Sequence, residues 1–141
     1  MLLQLAFGTL LIATTVAIHG VFMGSYLWRM RQGGPPARSY WAVMLVLMKL
    51  AVWCVFAHIA EILVWAAFYT GAGVMPDFET AGYFSAVTYA TIGYGDITPP
   101  VEWRVLASME GLIGILMCAW SGGFIFAVVN RLLAAGRGGP S

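Results

Sequence analysis

The sequence predicts an all-α membrane protein with three transmembrane helices, one shorter helix that enters the bilayer and turns back, and a glycine-rich loop after it. Three observations carry this. Charged residues make up only 9% of the 141-residue chain and hydrophobic ones 61%, whereas a soluble domain is about 25% charged. Three apolar stretches each reach the roughly 20 residues needed to cross a bilayer. Between the second and third lies a segment, 71–100, that is neither a simple loop nor a full span. The length leaves room for one domain.

The first stretch, Leu2 to Trp28, contains no Lys, Arg, Asp or Glu, and its positive charges follow it at Arg29 and Arg31. A cleaved leader places basic residues ahead of its apolar core, so residues 1–31 read as a retained transmembrane segment. Gly20 and Gly24 form a G-x-x-x-G packing signal, and this helix is expected to pack outside the pore, against helix 2. The linker Gly33-Gly34-Pro35-Pro36 cannot continue a helix. The second stretch, Tyr40 to Tyr69, is interrupted by Lys49 and Glu61; the third, Trp103 to Val129, by Glu110. Residues 132–141 read as a short tail, disordered from Gly136 onward.

Within 71–100, Pro76-Asp77-Phe78-Glu79-Thr80 reads as a helix start with Asp77 as its N-cap. A short helix follows over Ala81 to Ala90, and Gly93 and Gly95 end it. Non-helical backbone at membrane depth persists only where protein or a water-filled path covers it. The segment therefore predicts a pore or cavity.

Charge orients the chain. Arg29, Arg31, Arg38, Arg131 and Arg137 all fall in regions that the positive-inside rule assigns to the cytoplasm. The N-terminus and segment 71–100 then face outward, with Asp77, Glu79, Asp96 and Glu102. Those acids either concentrate cations or simply sit in water. Trp28, Tyr40, Trp41 and Trp103 read as interfacial anchors, and Lys49 as a snorkelling side chain with His19 at similar depth on helix 1. A net charge of +1 without a Lys/Arg cluster excludes a nucleic-acid partner. Cys54 and Cys118 sit in apolar runs and read as core residues. No nucleophile constellation or nucleotide site is visible, so neither enzyme activity nor a cofactor is expected.

The stretch Thr88-Tyr89-Ala90-Thr91-Ile92-Gly93-Tyr94-Gly95-Asp96 resembles the pore loop of potassium channels. The resemblance covers residues 40–131, as outer helix, pore helix, filter and inner helix. It implies that the carbonyls of Thr91, Ile92, Gly93 and Tyr94, with the Thr91 hydroxyl, replace the water shell of a permeating potassium ion, Gly95 completing the filter. Successive carbonyls face one axis only if the backbone alternates in hand, and glycine takes positive φ at least cost. Ile92 stands where Val is more frequent and is expected to pack behind the filter. Tyr94 is expected to pack against Tyr83 and Phe84. Thr88 and Asp96 support the filter, with the Tyr83 hydroxyl placed where some members carry a Trp that bonds the acid. Val87 stands where some bacterial members carry a Glu. The C-terminal end of the pore helix, near Ala90, brings about half a negative charge toward a central cavity. One strand cannot encircle an ion, so four copies in a closed ring are implied. The expected function is passive, potassium-selective conduction by a homotetramer in a lipid bilayer, in a bacterial plasma membrane. The alternatives are a non-selective cation channel and a non-conducting subunit with a pore-like fold.

Glu110 is a gating candidate with three readings: it braces the pore helix from behind, faces another subunit, or titrates during gating. Gly111, Gly114, Gly122 and Gly123 can serve as a gating hinge or allow close helix packing, and packing is favoured for Gly111. Gly114 lies near the family's hinge, and Gly122-Gly123 offers an alternative bend. His58 and Glu61 share a helix face; they form either a cluster with Glu110 or separate hydrogen-bonded sites, and they offer too few convergent ligands for a metal.

Overall fold

A computed structural model of the chain describes residues 2–32 and 39–137, with side chains through residue 134. Arg38, the Gly33–Pro36 break and the end of the expected tail lie outside the described residues. Among the described residues four α-helices occur, in the order α1 (Leu2–Arg31), α2 (Tyr40–Gly71), α3 (Phe78–Tyr89) and α4 (Arg104–Arg137), with a 3-10 turn at Val101–Trp103 before α4. The helices α1, α2 and α4 are 30, 32 and 34 residues long. At about 1.5 Å per residue each exceeds the roughly 30 Å hydrocarbon core. All three are long and apolar enough to cross a membrane, and large apolar side chains remain on their outer faces. This is a membrane protein.

Local sequence accounts for the ends. The α2 helix stops at Gly71, beyond which Gly73 takes φ 67° and the Val74 and Met75 amides turn back onto the Tyr69 carbonyl. Asp77 caps α3: its carboxylate accepts from the Thr80 amide at 2.7 Å and from the Thr80 hydroxyl at 2.9 Å, satisfying donors a helix start leaves free. Those bonds hold the exposed Asp77 carboxyl below the usual carboxylate range. The α4 helix runs past Arg131 to Arg137, so the first part of the expected tail is helical, Gly136 included. Leu132, Leu133, Ala134 and Ala135 favour helix, and Leu132 packs onto buried neighbours.

Two apolar clusters hold the bundle. One gathers Leu11 of α1, Trp65 and Tyr69 of α2, Phe84 and Tyr89 of α3, and Leu106, Ile113 and Met117 of α4. The other joins Met23, Leu50, Cys54, Ala57 and Val128 toward the opposite end. Between them lies a polar layer. The α3 helix packs between α2 and α4.

The placement of α1 differs from expectation. It packs on α4 as well as on α2. Toward α2, the Trp53 indole donates to the Phe22 carbonyl at 2.8 Å and the Trp65 indole to the Thr15 hydroxyl at 3.0 Å. The G-x-x-x-G pair makes no close contact within the chain, since a Cβ built on Gly20 or Gly24 meets nothing within 4 Å. Gly8 does instead: a Cβ there would lie 2.5 Å from the Met109 side chain of α4. The register that buries His19 and Thr15 turns Gly20 and Gly24 away from the contact face.

Candidate functional site

The end of α3 leads directly into the loop. The Thr91 amide donates to Thr88 O at 2.9 Å and the Ile92 amide to Val87 O at 2.9 Å. This is a Schellman closure, which calls for a left-handed residue just past the cap and usually finds glycine there. Here that residue is Thr91, at φ 57°. A β-branched residue at positive φ is strained by about 1–3 kcal/mol. Gly93 follows at φ 54° and Gly95 at φ 79°, while Ile92 and Tyr94 keep negative φ. The backbone hand thus alternates residue by residue from Thr91 to Gly95.

At the far end of the loop, the Tyr83 hydroxyl donates to Asp96 Oδ2 at 2.7 Å, and the Ile97 amide donates to Asp96 Oδ1 at 3.0 Å. The Tyr83 bond chiefly holds the Asp96 carboxyl below the usual range. Tyr83→Phe is therefore expected to raise the Asp96 titration toward ordinary carboxylate values, as read by carboxyl carbon NMR. An unmoved Asp96 would show that the backbone alone sets it. Two expected contacts are absent within the chain. Phe84 does not back Tyr94 but turns into the core, its ring centroid 5.3 Å from that of Tyr69. Ile92 and Tyr94 remain 53% and 69% exposed, so neither packs behind the loop within its own subunit. The α3 register explains this: Ala81, Phe84 and Ser85 share the buried face, leaving Tyr83 outside.

Glu110 is fully buried. It accepts from the Tyr69 hydroxyl at 2.8 Å and bonds the Ser85 hydroxyl, which also lies 3.0 Å from the Ile62 carbonyl. It ties α4 to α2 and to the back of α3, the geometry of a brace directed inward. Thr88 sits one helical turn beyond Ser85, its carbonyl 3.5 Å from where a Gly111 Cβ would lie. At Gly114 the approach is far closer: a Cβ would fall 2.1 Å from Tyr89 O and 2.9 Å from Tyr89 C. A Cβ on Gly122 or Gly123 meets nothing within 4 Å. Gly114, near the expected hinge, is thus the closer of the two glycine approaches to α3, and Gly111 is the looser one.

Glu61 belongs to a separate cluster without Glu110. Its carboxylate meets His19 Nδ1 at 2.8 Å and accepts from the Tyr89 hydroxyl. His58 Nδ1 lies 3.0 Å from that hydroxyl and 3.5 Å from Glu61. Ser121 Oγ is 3.3 Å from His19 Nε2 and 3.1 Å from His58 Nε2. All four helices contribute. One ligand atom from each of His19, His58 and Glu61 lies within 4.8 Å of the others, but each already has a hydrogen-bond partner, and no buried side-chain polar atom among the described residues lacks one. His19, Tyr89 and Ser121 escaped sequence reasoning as members of this cluster.

Residues 43–131 match the family described as Ion channel. The match spans more than half of the chain, which therefore belongs to that family and is a channel rather than an enzyme. No curated protein and no solved structure matches it.

Proposed function

We propose that four copies of this chain form a potassium-selective channel, with the carbonyls of Thr91, Ile92, Gly93 and Tyr94 and the Thr91 hydroxyl binding the permeating ions. The single observation that carries this reading is the alternation of backbone hand at Thr91, Gly93 and Gly95. It is the condition for successive carbonyls to turn toward one line, where they can stand in for a hydration shell. Assembly is supported by the exposure of residues 91–96 in the single chain. Such backbone is tolerated at membrane depth only when protein or an aqueous path covers it, and neighbouring copies supply both. In this reading α3 is a re-entrant pore helix whose C-terminal dipole favours a cation. The filter and the N-terminus face outward, with Arg29, Arg31 and Arg131 in the cytoplasm of a bacterial cell.

The test is ion flux in liposomes containing only the purified chain, beside Gly93→Ala. The wild type is expected to pass potassium well ahead of sodium, and the variant to lose that flux, because alanine is strained at φ 54°. Equal potassium and sodium flux would overturn selectivity. No flux across a range of pH and voltage would overturn conduction.

A further inference from the structure

We infer that the cluster where all four helices meet is a proton-binding site, with His19 as an imidazolium paired to the Glu61 carboxylate, and that loss of this proton releases α1 from α4. A hydrogen count carries the inference. The five contacts are His19–Glu61, Tyr89–Glu61, His58–Tyr89, Ser121–His58 and Ser121–His19. Each needs one hydrogen. With neutral rings and ionised Glu61, the four donor residues supply one each, which leaves a contact with two facing lone pairs.

Following the chain locates the deficit. Glu61 takes the Tyr89 hydrogen, so the Tyr89 oxygen accepts from His58 Nδ1–H. His58 Nε2 then accepts from Ser121, whose oxygen has only lone pairs left for His19 Nε2. His19 Nδ1 meanwhile faces Glu61. Both His19 nitrogens meet acceptors, and a fifth proton on His19 completes every contact. The mirror arrangement puts that proton on His58, but two observations favour His19: its shorter contact with Glu61, and the Trp120 ring at 5.1 Å, a favourable neighbour for a cation. A ring that donates from both nitrogens, facing a carboxylate that keeps both oxygens as acceptors, satisfies every contact.

Charge demands the same proton. A buried carboxylate needs a counter-charge, and among the described residues no Lys or Arg pairs with Glu61. The other titratable groups facing the cluster are His58 and Cys54 from α2, Tyr89 from α3, and Cys118 and Glu110 from α4; none of these supplies a second fixed cation. The Glu61 carboxylate that faces His19 also accepts from Tyr89, the last residue of α3, two positions before Thr91. Proton binding thus stabilises the docking of α1 on α2 and α4, and the effect fades as pH rises.

The chain has only two histidines, and both lie in this cluster. The test is imidazole nitrogen NMR of the full-length, histidine-labelled protein in nanodiscs from pH 5 to 10, with thermal melting and potassium flux over the same range. One ring protonated at both nitrogens at pH 7, losing that state at higher pH together with a fall in melting midpoint, is the expected result. In Ser121→Ala three contacts remain for three hydrogens, so the transition is expected to move to lower pH. In His19→Gln no doubly protonated ring should remain at pH 7. Two neutral rings at pH 7 in the wild type would overturn the inference, as would zinc held at one ion per chain, or a doubly protonated ring that persists in His19→Gln. The spectra are read whether or not the chain conducts potassium, so failure of the function reading stays distinguishable. If the chain conducts, flux is expected to fall with the same transition.

Discussion

Gly114→Ala is expected to lose the folded channel or leave it without flux. The added methyl would lie 2.1 Å from the Tyr89 carbonyl oxygen, far inside van der Waals contact. Its neighbour is backbone, so no rotamer change relieves the clash. Overpacking of this kind costs about 1–3 kcal/mol and occasionally more. Whatever relief is found must shift the end of α3, whose closing bonds set the hand of Thr91. Flux should therefore suffer even if the protein still melts cooperatively. Two neighbours serve as controls. Gly111→Ala places its methyl at 3.5 Å from Thr88 O, an ordinary contact, and should be close to neutral. Gly122→Ala meets nothing within 4 Å in the chain and should gain about 0.5–1 kcal/mol of helix stability. Melting of all three in detergent, beside liposome flux, checks the order. Equal tolerance at 111 and 114 would contradict the packing described.

Glu110→Ala is expected to destabilise the protein by about 2–4 kcal/mol, because it orphans the buried Tyr69 hydroxyl and leaves a cavity. Glu110→Gln should cost far less. Its amide oxygen can accept from Tyr69, its amide nitrogen can donate to Ser85, and the Ser85 hydrogen is then free for the Ile62 carbonyl, which keeps both contacts Glu110 now makes and the Ser85–Ile62 bond beside them. The contrast separates a hydrogen-bonded brace from a site that needs charge. Were Glu110→Gln as damaging as Glu110→Ala in both melting and flux, the brace would not explain the residue.

Much of the bundle was legible because its causes are local. Apolar length set the spans, Asp77 with Thr80 set the start of α3, and Gly93 and Gly95 marked a backbone that helix could not continue. The left-handed Thr91 was not legible, since glycine is the residue expected there. It is imposed by the Schellman closure of α3 against the glycine-rich strand. Nor was the division of the buried acids into two sites. Glu61 and Glu110 both interrupt apolar runs, but only the packing of α3 between α2 and α4 assigns Ser85 and Tyr69 to one and Tyr89 to the other. A trace of the α1–α2 pairing was present. Thr15 and His19 are four apart, as are Glu61 and Trp65, which matches an antiparallel contact in which Thr15 meets Trp65 and His19 meets Glu61.

By itself the sequence determined a membrane-embedded, helical chain and the loop at Thr91 to Asp96, because hydropathy, capping and glycine conformation act over a few residues. Only the tertiary structure decided where α1 docks, which glycine α4 needs against α3, and how two buried carboxylates are satisfied. Those outcomes depend on the register between helices. Shifting a helix by one residue turns its polar side chains by about 100°, and no local feature of these nearly uniformly apolar spans sets that rotation.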